Sequence, residues 1–348
     1  MTDNDIPKLQ EKSMELWQRA HAFTSQIIPR DLPPGDHPAV FDYLRNPMTF
    51  ANKRSASGKF TLVPESNDRW AVVNMRNALF LGLKPLSIHN DGVPLTFHRL
   101  KGGKGATHKG VMTSDIPVEV HQQFMAFRKL KGHVLVTGLG MGMAATMIQR
   151  LPAVKSVTVI DMEQELIDFI APQIDKRIRI ERADAFQFCN KNGRSWNCPH
   201  LGFDSAYHDI WYGTGETTWV DEVVPLYRLC RKAGINRLAA WGEYEMRWQL
   251  ISGCYRACYM PEELSHWKPP YRVFRAAVVK AGELGEPTDA KDAIVGEFLK
   301  LYLCDVGSPK WERTFGAEWD KPEPKRPSAK QVRTSVACVT GETSEVAL

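Results

Sequence analysis

From Lys131 the chain adopts a two-beat rhythm, with short apolar runs of strand length alternating with segments of helical spacing, and this restricts the fold more than any other feature. "HVLVTGLG" reads as a buried strand and "MAATMIQRL" as a helix; "SVTVID" and "EQELIDFIAPQI" repeat the pair. "RIRIERADA", "FDSAYHDIW" and "INRLAAWGE" supply further strands, with "WVDEVVPLYRLCRKA" as the helix before the last of them. Strands joined in this way through helices lie parallel with right-handed crossovers, so the spacing predicts a doubly wound α/β domain.

In such a sheet ligands sit outside the carboxyl ends of the strands. Gly138, Gly140 and Gly142 fall at the end of the first core strand, where bare backbone serves either a tight joint in the fold or a ligand that comes closer than a Cβ allows. The second strand ends in Asp161, whose carboxylate suits ribose hydroxyls. Asp184 closes the third strand, within reach of an adenine amino group, and Asp209, Trp211 and Tyr212 close the fourth. Any one of these acids is equally an ordinary solvated strand end. Their joint placement beside a glycine turn predicts one adenosyl-binding constellation. "GLGMGMA" also admits a G-x-G-x-x-A reading from Gly140, which keeps NAD in view.

These residues resemble the class I S-adenosylmethionine-dependent methyltransferases, and the order of features is most similar to the spermidine synthase-like branch, over roughly residues 90–245. The resemblance implies a Rossmann-like methyltransferase fold with S-adenosylmethionine as cofactor. By that likeness Gly138, Gly140 and Gly142 line the methionine part, with Leu139 among them; Asp161, with Met162 beside it, holds the ribose; Asp184 and Ala185 hold the adenine; and Asp209 stands at the reacting end. Where polyamine synthases carry a second acid, "HDIWYG" has aromatic residues, which ranks aminopropyl transfer below methyl transfer. "DIWY" also lacks the two prolines of the amino-methylating nucleic-acid enzymes.

Asp209 and Tyr212 are the candidate catalytic residues. A carboxylate at this position tolerates the sulfonium and is able to orient or deprotonate an amine or hydroxyl acceptor. Trp211 and Tyr212 form either an aromatic wall for a flat or cationic acceptor or a cap over the sheet. Asp115, immediately before the lead-in helix "IPVEVHQQFMAFRKL", and Glu119, with His121, within it are substrate-contact candidates. Strand alternation turns His208 to the face opposite Asp209.

Five regions are expected: an N-terminal helix and loop (1–55), a β-rich lead-in (56–130), the cofactor-binding domain (131–260), a C-terminal extension (261–306) and a polar, flexible tail (307–348). Within the lead-in, "HRLKGGKGATHKG" gathers Arg99, Lys101, Lys104 and Lys109 among glycines, as a solvated or phosphate-contacting loop. The net charge of +5 permits an anionic partner without calling for one. Seven cysteines with no CxxC pattern point to reduced thiols, and "NCPH" (Cys198 to His200) has no second ligand pair, so no metal site is expected. The charged N-terminus has no leader-like apolar core, and no apolar run approaches the roughly 20 residues of a membrane span. The expectation is a cytoplasmic methyltransferase whose acceptor, a small molecule or a nucleotide or nucleic acid, is not disclosed, nor is the oligomeric state. The alternatives are an aminopropyltransferase, an NAD-linked oxidoreductase and a non-catalytic adenosyl-binding protein.

Overall fold

The computed structural model describes residues 48–65, 97–106, 109–192, 202–211, 218–259, 269–281 and 288–321, with isolated positions before residue 48 and at Gly213 and Gly215. Three strands, β1 (Phe60–Glu65), β2 (Phe97–Gly102) and β3 (Gly110–Ser114), form a small antiparallel sheet in chain order. Phe60, Leu62 and Leu100 turn inward from it, as period-two alternation requires. Helix α1 (Pro117–Phe127) opens on a proline, tolerated there because the first-turn N–H has no intrahelical partner. Its stripe of Val120, Phe124 and Phe127 is buried.

The main sheet has five parallel strands among the described residues: β4 (Gly132–Thr137), β5 (Val154–Asp161), β6 (Arg179–Arg182), β7 (Ser205–His208) and β8 (Arg237–Ala240), in the spatial order β6-β5-β4-β7-β8. The chain therefore winds outward one way from β4 and then returns to wind the other way, the doubly wound Rossmann-like order, with its switch point between β4 and β7. Helices α2 (Met143–Gln149), α3 (Gln164–Ile170), α4 (Ala185–Asn192) and α5 (Val224–Lys232) provide the crossovers. Because both faces are covered, apolar residues point to both sides of the central strands. Val134, Val136, Val157 and Val159 pack with α1, α2 and α3. Leu135, Ile160 and Ala206 pack with α4 and α5 on the other face.

Beyond β8 come α6 (Glu243–Tyr259), α7 (Pro269–Ala281) and α8 (Asp289–Cys304), which build a third core with the helical stretch 309–319. The polar tail expected from Gly307 is thus corrected: Trp311 is 0% exposed, and Trp311, Phe315 and Trp319, spaced one helical turn apart, close on Tyr302. Arg228 of α5 pins the same stretch through Glu312 at 2.8 Å and Asp320 at 2.8 Å. Residues 322–348 lie outside the described residues. Near the N-terminus the described positions between 11 and 20 are helical, and Leu16 and Ala20 enter the same core. No helix among the described residues is long and apolar enough to cross a membrane.

Candidate functional site

Strands β4 to β7 end on one rim, and the segments that follow them enclose a cleft of about 210 Å³. Gly138 and Gly140 border it after β4, Asp161 and Met162 at the end of β5, Asp184 and Ala185 after β6, and Asp209 and Trp211 after β7. The structure therefore brings three strand-end acids together beside the glycine turn. Ile160, Leu166, Phe186 and Ile210 supply apolar wall, and Phe60 of β1 with Met112 and Thr113 of β3 complete it from the small sheet.

The glycines answer first to the protein itself. At Gly138 (φ +91°) a Cβ would lie 2.0 Å from the carbonyl oxygen of Asp209, because the ends of β4 and β7 converge there. At Gly140 (φ +50°) it would meet Thr113 Cγ2 at 3.1 Å. Gly142 starts α2 with φ +82° and faces Ile174, Ile170 and Met48, the first at 2.7 Å; it is not part of the cleft wall. Leu139 is buried, and its N–H rather than its side chain serves the site.

That N–H donates to Asp161 Oδ2 at 2.8 Å, and the N–H of Glu163 donates to Oδ1 at 2.9 Å. Asp161 thereby ties the glycine turn to the β5 loop, while burial pushes its carboxyl upward against those two donors. Met162 is 55% exposed on the rim. Asp184 caps α4, accepting from the Gln187 N–H at 2.8 Å. Glu163, a lining residue that sequence reasoning passed over, pairs with Lys59 at 2.6 Å.

Asp209 receives a hydrogen bond on Oδ2 from Gln123 Nε2 at 2.8 Å. Burial raises its carboxyl to about 7, opposed by that bond and reinforced by the nearby charge of Glu119. Trp211 is 4% exposed and donates from Nε1 to the Trp241 carbonyl at 3.1 Å, so it is both core and cleft wall. Tyr212 lies outside the described residues.

The expected substrate contacts on the lead-in stand elsewhere. Asp115 is buried against β2, accepting the His98 N–H at 2.5 Å. Glu119 accepts from Thr113 Oγ1 at 2.8 Å, from the Ser114 N–H at 3.1 Å and from the Ser114 hydroxyl, so it fastens α1 to β3; burial raises its carboxyl. Neither is part of the cleft wall, and His121 is buried. His208 is on the opposite face, between Thr137 Oγ1 at 3.0 Å and Cys230 Sγ at 3.6 Å, and desolvation lowers its imidazole to about 3. Lys104 and Lys109 are exposed at the β2–β3 turn. No cluster of three His, Cys, Asp or Glu able to hold a metal occurs among the described residues, and Cys198 and His200 lie outside them.

The lining of the cleft is acidic: Asp161, Glu163, Asp184 and Asp209 border it, Glu163 paired with Lys59 behind it, and among the described residues no Lys or Arg is part of the wall.

No family model matches the chain, and no curated protein does. Among solved structures, a S-adenosylmethionine dependent methyltransferase from Mesorhizobium loti is similar at 23% identity over 32% of this chain and 48% of that one, with a TM-score of 0.22. Spermidine synthase from Thermotoga maritima follows at 15% identity, 46% and 59% coverage and a TM-score of 0.28. MNMC2 from Aquifex aeolicus follows at 11% identity, 60% and 82% coverage and a TM-score of 0.27. The chain spans about half the length of the first two. These likenesses are to a fold, and the fold assignment rests on the strand order described above.

Proposed function

We propose that the chain is an S-adenosylmethionine-dependent methyltransferase acting on an amine or hydroxyl acceptor, with Asp209 at the reacting end. The observation that carries this reading is the cleft at the switch point, lined by four carboxylates and by no basic side chain among the described residues. S-adenosylmethionine presents ribose hydroxyls and an adenine amino group as donors, and a sulfonium as a cation; all of them suit carboxylates. A dinucleotide would bring a pyrophosphate, which like charge repels and which asks for an open helix N-terminus. Here the start of α2 is packed at Gly142 against Met48, Ile170 and Ile174, which speaks against NAD. The cleft is smaller than the roughly 300–1,000 Å³ of sites that take a whole drug-sized ligand. Asp161 and Asp184 would hold the adenosyl portion there, and Asp209 would stand at the reacting end.

S-adenosylmethionine, when bound, supplies an electrophilic methyl group. Asp161 keeps lone pairs free of its two backbone donors for ribose hydroxyls, and Asp184 faces the adenine end. Asp209 would orient the acceptor and accept its proton on a carboxylate oxygen. A carboxyl near 7 is divided between its two forms at neutral pH, which suits a general base. Alignment of acceptor and methyl group by a rigid cleft supplies the larger effect, on the order of 7–11 kcal/mol.

Calorimetry of the full chain with S-adenosylmethionine, S-adenosylhomocysteine and NAD tests the cofactor. Binding of the first two is expected, and tighter binding of NAD would overturn the reading. Methyl-labelled cofactor incubated with cell extract tests for transfer: label is expected in small molecules, nucleic acid or protein, and its absence from every fraction makes the chain a non-catalytic binder. Asp209→Ala should lower transfer by about 10²–10⁴-fold, the range for loss of a general base, while cofactor binding persists.

A further inference from the structure

We infer that Gln123, held by Tyr207, is a positioning residue that fixes the direction and ionisation of Asp209. The inference takes from the proposed function only that Asp209 is the reacting carboxylate. Gln123 is 1% exposed on α1, on the same buried stripe as Val120, Phe124 and Phe127. A primary amide there needs partners for both ends, and the structure supplies one for each. The Tyr207 hydroxyl donates to Gln123 Oε1, and Gln123 Nε2 donates to Asp209 Oδ2 at 2.8 Å.

The order of these bonds is imposed by chemistry. Tyr207 is fully buried, and desolvation together with the charges of Asp209 and Glu119 raises its phenol well above the ordinary range, so it keeps its proton; an ionised Asp209 only accepts, which leaves Gln123 Oε1 to the Tyr207 hydroxyl. A donor at Oε1 turns the NH2 group toward Asp209, where it stabilises the ionised carboxylate specifically. Tyr207 and Asp209 are two residues apart on β7 and its extension, so alternation puts both on the α1 face. The other groups facing this chain act in the opposite sense or on the phenol. Glu119 of α1 repels charge on both Asp209 and Tyr207. Glu243 of α6 and Tyr227 of α5 face Tyr207, and Glu243 is itself engaged by the Tyr227 hydroxyl at 3.0 Å and by Arg247. Gln123 is thus the donor that keeps Asp209 ionisable in a site that otherwise protonates it.

The test is the titration of Asp209 itself, followed by carboxyl ¹³C NMR on the full chain labelled at aspartate, with the signal assigned by its loss in Asp209→Asn. In Gln123→Leu the midpoint should move up by about 1–2 units, the worth of one hydrogen bond to a charged group. Tyr207→Phe, which frees the amide to turn, should move it in the same direction by less. An unmoved midpoint in folded Gln123→Leu overturns the inference; where that variant does not fold, Tyr207→Phe decides by the same criterion. Calorimetry with S-adenosylmethionine on the wild-type chain reads the methyltransferase proposal separately, since a shifted midpoint without cofactor binding would leave Gln123 in its role and remove only the cofactor.

Discussion

Gly138 and Gly140 stand two residues apart, both with positive φ, yet a methyl group added to each would meet very different resistance. At Gly138 the obstacle is backbone, the Asp209 carbonyl oxygen at 2.0 Å, which moves only if the end of β7 moves. At Gly140 it is a threonine methyl at 3.1 Å, which yields by a few tenths of an ångström. Left-handed backbone costs a residue with a Cβ about 1–2 kcal/mol, and forced repacking adds roughly 1–3 kcal/mol. Gly138→Ala should therefore destabilise by about 2–5 kcal/mol and Gly140→Ala by about 1–2 kcal/mol, read as shifts of the urea midpoint at constant m. Equal shifts would show that the joint between β4 and β7 is looser than the geometry requires. The need for bare backbone was legible in the alternating glycines. Its cause was not, because the atom in the way belongs to a strand distant in the chain. Gln123 was readable in principle, as a polar residue on an apolar helical stripe, but an isolated glutamine has no spacing signature. Phe60, Met112 and Thr113 were hidden for another reason: nothing in a small antiparallel sheet says which element it will cover.

Among the elements, the core β–α alternation was the easiest to read, since the hydrophobic period changes at each boundary and the central strands are buried on both faces. Strand β7 ends at His208, before Asp209, which lets Asp209 sit in the cleft with its N–H still bonded to the Thr137 carbonyl at 2.9 Å. The stretch 309–319 was misread because it was grouped with the Lys- and Pro-rich run that follows from Lys321, while three aromatic residues at four-residue intervals carry the packing. Trp311 stacks on Tyr302 with ring centroids 6.5 Å apart and donates from Nε1 to the Tyr302 carbonyl at 3.2 Å. Removing a buried tryptophan of this kind costs about 3–5 kcal/mol. Trp311→Ala should therefore lower the stability of the whole C-terminal helical core, measured by chemical denaturation, whereas a substitution in a solvated tail would leave the midpoint unmoved.

Across the whole molecule, two neighbouring residues link stability to pH in opposite directions. His208 is held neutral, with its imidazole at about 3 against an ordinary 6.5. As pH falls below about 6.5 the unfolded chain takes up this proton and the native state does not, so stability is lost progressively down to about pH 3. Asp209 is held protonated up to about 7 against an ordinary 3.8. As pH rises above about 4 the unfolded chain releases that proton and the native state keeps it, so stability falls until about pH 7. The buried carboxyls of Asp161 and Glu119, also raised, act in the same sense as Asp209. Between roughly pH 4 and 6.5 the imidazole and the carboxyl oppose one another, and each variant should expose the other's slope. Asp209→Asn should gain thermal stability over the wild type above pH 7 and lose it more steeply on acidification. His208→Gln should pay a constant offset for its bonds to Thr137 and Cys230, and its Tm should then fall more steeply than that of the wild type as pH rises from 4 to 6.5. Melting curves of the three proteins from pH 4 to 8 decide the matter: parallel Tm profiles would mean that neither side chain is buried in the state that unfolds, and the acidic cleft would then be open to solvent rather than built to hold a proton.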